Sequence, residues 1–193
     1  MALLNDALED EPYNKGMLNR LMQGYELRGE QDKAYKVPKD NAYKFNLDIE
    51  WHEKMINQAL ELGYQALGAG GTEEKDKYFR EGTATFEKVQ EGIKYLATLP
   101  EGQMQGRPFE NTPDMILNTG KMYFMMNQPE QAAAALQLGL QDDLSQTVHQ
   151  DIAAWYLASL QKQGQEDPEL LNKLKQVDPT AEEKIQNWTQ IGF

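Results

Sequence analysis

Apolar residues recur along this chain at intervals of three and four. Leu18, Leu21, Met22 and Tyr25 form one series, Trp51, Met55, Ala59, Leu62 and Ala66 a second, and Phe79, Phe86, Val89, Ile93 and Leu96 a third. A helix of 3.6 residues per turn gathers each series onto one face, whereas a half-buried strand needs strict alternation. No run of four or more alternating residues stands between turn signals, so the pattern predicts an all-α chain.

Helix ends are marked chemically. Thr112-Pro113-Asp114, Asp167-Pro168-Glu169 and Asp178-Pro179-Thr180 each set a capping oxygen before a proline, and Gln128-Pro129-Glu130 is a variant of the same signal. The capping oxygen accepts an N–H of the first turn, where proline has no N–H to satisfy. Glycines at 68, 70 and 71 close one helix before Thr72 opens the next. The predicted helices are 13–28, 47–68, 73–98, 113–126, 129–140, 146–163, 168–176 and 179–190. Short connections place neighbours antiparallel. The segments 37–46 and 99–112, rich in Pro, Gly, Asn or charge, read as long loops.

One pattern repeats. Counting from Gly120, apolar Ile116, aromatic Tyr123, turn residue Asn127, small Ala132, Leu136 and Gly139 fall where two helices and a turn would interlock. A copy counted from Met22 has Leu18, Leu21, Tyr25, Gly29 and Ala34 in register, with Pro38 expected to stop its second helix early. A copy from Ala158 keeps Leu157, Leu170, Leu174 and Val177. A copy from Leu62-Gly63 keeps Gly70 and Phe79, while Lys75 stands out of place. The anchors Met22, Gly63, Gly120 and Ala158 are 41, 57 and 38 residues apart, so the array is irregular and the helix 73–98 should overhang its unit.

This pattern resembles the tetratricopeptide repeat, a helix-turn-helix unit of about 34 residues, most closely over 110–177. The resemblance implies a right-handed α-solenoid of antiparallel helix pairs, a single domain over 1–193, whose concave face is lined by first helices and holds a peptide or partner domain. One subclass of such proteins grips a terminal carboxylate with Lys, Arg and Asn. Asn118 and Lys121 stand suitably for this, but the next unit offers Asp151, Ile152 and Trp155, which breaks the basic clamp. The methionine and aromatic series Met115, Met122, Tyr123, Phe124, Met125 and Met126 reads mostly as core, but it is denser than one buried stripe requires, which leaves Phe124 and Met125 as candidates to line a groove. The groove expected here is therefore apolar and polar together, built from Asn118, Lys121, Phe124, Met125 and Trp155. Stepping back one repeat from Met22 puts Leu4, Ala7 and Leu8 in a second helix closed by Pro12, so the chain is expected to begin in mid-repeat as a piece of a longer polypeptide.

Glu11-Pro12-Tyr13-Asn14, Leu99-Pro100-Glu101-Gly102-Gln103 and Gln105-Gly106-Arg107 carry a second resemblance, to the soluble repeat tail of bacterial membrane proteins of the O-antigen ligase or polymerase type. It implies a bacterial accessory domain serving the membrane part of the same polypeptide.

Composition narrows the function. Lys+Arg 19 against Asp+Glu 31 gives a net charge of -12, which opposes nucleic acid and anionic lipid as partners. The absence of cysteine removes disulfides, thiolate metal sites and thiol catalysis. No stretch approaches the roughly 18 to 20 apolar residues of a membrane helix, so direct membrane insertion is not expected of this segment. His52-Glu53 opens like a zinc-protease helix, but the second histidine's position holds Ile56. The glycines at 68–71 lack the preceding strand and the Gly-Lys-Ser/Thr ending of a phosphate loop. Paired acids such as Asp142-Asp143 suit helix starts, and Ser145 and Ser159 lie in no nucleophile elbow. The expected function is a non-catalytic interaction scaffold with no cofactor and no metal.

Overall fold

A computed structural model describes residues 2–100 and 109–191. Among them the regular structure is helical throughout: α1 (Ala2–Asp10), α2 (Lys15–Glu26), α3 (Gln31–Asn41), α4 (Ile49–Gly68), α5 (Thr72–Leu96), α6 (Pro113–Met125), α7 (Pro129–Gln137), α8 (Thr147–Lys162), α9 (Pro168–Val177) and α10 (Ala181–Gln190), with a 3-10 turn at Ala42–Lys44. Asn14, Asp48, Thr112 and Asp167 cap α2, α4, α6 and α9 by accepting the N–H three residues on, at 3.0 to 3.2 Å. Asp178 does not cap α10 in this way. Its carboxylate binds the Thr180 N–H and hydroxyl instead, and α10 starts two residues later than the sequence predicts.

Four helix pairs are joined by the same turn. In each, a residue in the left-handed region ends the first helix: Gly29 (φ 70°), Gly70 (φ 80°), Asn127 (φ 57°) and Gly164 (φ 71°). The next N–H then reaches back five residues, Glu30 to Tyr25, Gly71 to Ala66, Gln128 to Tyr123 and Gln165 to Leu160, at 2.8 to 3.0 Å. This is the long bond of a Schellman cap, which satisfies a terminal carbonyl and fixes the angle at which the second helix leaves.

Nesting within the pairs recurs as well. A Cβ on Gly63 would lie 2.0 Å from the Phe79 ring, and one on Gly120 would lie 2.3 Å from Leu136, the same sixteen-residue step in both cases. Ala158 and Leu174, related by that step, are both fully buried. Ala132 and Ala34 are fully buried at the small position of the second helix. Small side chains thus sit where helix axes approach closely, as the sequence pattern requires.

Each first helix also packs on the next: α4, α6, α8 and α10 adjoin in order, and α3, α5, α7 and α9 each touch the first helix that follows. A main core runs from Tyr35 through Ile185, and a smaller cluster joins α2, α3 and the start of α4 around Trp51. Tyrosine hydroxyls tie the layers: Tyr78 donates to Asp32 and Tyr123 to Glu87, while Tyr35 and Lys39 both meet Glu81.

The segment 37–46 is not the loop expected. α3 continues through Pro38 to Asn41 and runs into the 3-10 turn. Pro38 removes one helical N–H, but side-chain bonds hold this stretch: the Trp51 indole donates to the Pro38 carbonyl at 3.0 Å, and the Asn41 amide to the Val37 carbonyl at 2.8 Å. Tertiary bonds outweigh the local cost of the proline. α5, 25 residues long, does overhang its partner pair. Of the stretch 99–112, Leu99, Pro100 and 109–112 are described, and Phe109 rests against Gly92 of α5. The phrases at 101–107 lie outside the described residues.

Candidate functional site

The face expected to bind is that of α4, α6 and α8. Thr112 holds the start of α6 twice, capping Met115 and donating its hydroxyl to Glu53 of α4 at 3.1 Å. One turn further on, the Asn118 amide donates to the Asn57 carbonyl oxygen at 2.8 Å, which locks α6 to α4 in register. Lys121 follows at the next turn, half-buried. Burial pushes its ammonium below the ordinary lysine range, and Asp151 of α8 and Asp114 of α6 pull it back up. Among the described residues no carboxylate reaches it within ion-pair distance, so the cation stays available between two acids too distant to neutralise it. Asn57, Asp114, Asn118, Lys121 and Asp151 make a continuous polar strip.

The apolar half of the expected groove lies inside the protein. Phe124 is 3% exposed, Met125 2% and Trp155 7%. Phe124 meets the Trp155 ring edge-on with centroids 5.2 Å apart, and Trp155 stacks on Trp188 of α10 at 4.1 Å and 7°. The Lys162 ammonium lies 5.5 Å from the Phe124 ring centroid. The three rings form a column that joins α6, α8 and α10, so Phe124, Met125 and Trp155 are corrected from groove lining to core. Of the five expected residues, Asn118 and Lys121 remain accessible.

Two participants escaped the sequence reading. Asn57, the exposed partner of Asn118, carries no motif of its own. Trp188 lies about one repeat length after Trp155, and that spacing was the available signal.

The two histidines are far apart in role. His52 is buried with Nδ1 at 2.8 Å from the Asp48 carbonyl and its ring edge toward Phe109. His149 is part-buried at the start of α8. No group of three His, Asp or Glu among the described residues is placed to hold a metal ion, and none of the described helices is long and apolar enough to cross a membrane. No family model, curated protein or solved structure matches this chain.

Proposed function

We propose that this chain is a non-catalytic interaction scaffold: a tetratricopeptide-like array that presents the strip along its first helices to a protein or peptide partner. The recurrence of one turn geometry and one nesting step in successive helix pairs is the observation that carries it. Such an array holds side chains on rigid helices, so little ordering of the scaffold opposes binding. On the strip, Lys121 supplies a half-buried cation and Asn57 and Asn118 supply amides, a set suited to a peptide carboxylate and its backbone.

Affinity capture with the full chain, compared with an Asn118→Ala/Lys121→Glu variant of equal Tm, tests this. Loss of specific partners from the variant supports the strip. Recovery of the same proteins by both forms removes it.

The rival reading, an accessory domain for the membrane part of a glycan ligase or polymerase, expects Trp51 or Trp155 exposed beside carboxylates. Both are buried, and so are Met122 and Met125, whose exposure would have favoured a peptide, so burial does not choose between the two readings and the capture experiment does.

A further inference from the structure

The two places where the array departs from regular repeats meet in space. The inserted segment 42–48, between α3 and α4, and the overhanging end of α5 flank an open cleft of about 630 Å³, whose lining includes none of the strip residues on α4, α6 and α8. Its walls carry Tyr43, Leu47 and Tyr95, which are 69%, 61% and 62% exposed and among the most exposed large apolar side chains of the chain. Tyr13, also largely exposed, continues this surface, because the Lys44 ammonium lies over the rings of both Tyr13 and Tyr43. A contiguous exposed aromatic surface on an otherwise polar protein marks a contact site. Tyrosine suits such a site because it gives large contact area for little ordering.

Charge selects the occupant. In a chain of net charge -12, this cleft is lined by Lys39 and Lys88 against Glu91 alone. Lys39 is engaged by Glu81 at 2.7 Å, whereas Lys88 has no ion pair among the described residues. His52 lines the same cleft. The Asp48 carbonyl can only accept, so Nδ1 carries the hydrogen and Nε2 is left as an acceptor for an N–H. With Lys39 neutralised by Glu81 and Lys88 set against Glu91, the local excess is the Lys44 ammonium beside Tyr43, whose acceptors are the neutral Pro12 carbonyl and Asn41 amide oxygen. At physiological salt the Debye length is about 8 Å, so an occupant of the cleft feels this excess more than the acids of distant helices.

We infer that the cleft between the 42–48 insertion and the end of α5 is a second docking site, taking a short acidic peptide segment of a partner protein with an aromatic or aliphatic side chain between its carboxylates. A carboxylate meets Lys88, the apolar side chain lies between Tyr43 and Tyr95, and a backbone N–H reaches His52. The site stands independently of the strip around Lys121.

Fluorescence anisotropy with a labelled Asp-Glu-Phe-Asp-Glu-Leu peptide tests it on the full chain. In a Lys121→Glu background, which removes the strip's cation, saturable binding is expected, weakened at least about tenfold when Lys88→Glu or the Tyr43→Ala/Tyr95→Ala pair is added. All three altered cleft residues are exposed, so thermal unfolding should match the parent and confirm that folding is intact. Absence of binding, equal binding of a Lys-Arg-Phe-Lys-Arg-Leu peptide, indifference to the cleft substitutions, or competition by a neutral oligosaccharide in place of the acidic peptide would each overturn the assignment.

Discussion

The ammonium of Lys75, on a side chain only 2% exposed, donates to the backbone carbonyl of Met125 at 3.2 Å. Lys75 occupies the small-residue position that Ala34 and Ala132 fill in other pairs, and its chain runs through the core to the last residue of α6. There it meets a carbonyl without a helical N–H partner and the negative end of the helix dipole. Asp76 lies 3.3 Å from the same ammonium and compensates the charge.

Lys75→Met keeps the apolar stem and removes the donor. A hydrogen bond from a charged group is worth roughly 1.5–3 kcal/mol, and the substitution is expected to lower unfolding stability by about that much. Urea denaturation checks it, and an unchanged midpoint would show that the contact does not hold the end of α6.

Gly120→Ala forces a Cβ into Leu136, and overpacking of this kind costs about 1–3 kcal/mol. Leu136→Ala alone opens a cavity at a cost of about 2–5 kcal/mol. The double variant should be more stable than the sum of the two losses predicts, because the new methyl enters the space vacated by leucine. Additive losses in a denaturation cycle would show that helix approach at this crossing is not set by these two residues.

This crossing also shows what the sequence could reveal. Gly120, Ala132 and Leu136 follow spacing alone, since local period and small size together dictate where two neighbouring helices touch. Asn127, Gly29 and Gly70 were legible as turns for the same reason. Pro38 was misread because the bonds that carry α3 past it come from Trp51 and Asn41, one of them thirteen residues away. Trp155 is covered by Trp188, one repeat length on, and Phe124 by Trp155 of the next first helix, so their burial is set by neighbours beyond the local period of their own helices. Lys75 looked like an error in the repeat because spacing shows a position but not how far a long side chain can reach.

Burial and the hydrogen bond to Glu87 push the Tyr123 phenol up to about 12 from an ordinary value of 10.0. Burial also raises Tyr35 and Tyr78, both beside carboxylates. Folding therefore favours the neutral phenols, and this stability is complete below pH 10 and lost as pH rises toward 12. Absorbance at 295 nm should show these tyrosines ionising late, together with unfolding. Tyr123→Phe should flatten the fall of stability between pH 10 and 12, and an unaltered profile would mean that Tyr123 ionises without opening the α5–α6 contact.

Trp155 and Lys121 should separate folding from binding. Trp155→Ala removes the centre of the column between Phe124 and Trp188, and truncation of a buried Trp costs about 3–5 kcal/mol. Trp188 emission should shift to the red as its stacking partner disappears. Lys121→Ala, on the strip, should change stability by no more than about 0.5 kcal/mol, as for substitutions outside the core. Thermal unfolding and tryptophan emission of both variants decide the matter. A Trp155→Ala protein with parental stability would return Trp155 to the surface, and a severely destabilised Lys121→Ala protein would turn the strip from a binding face into part of the scaffold's own packing.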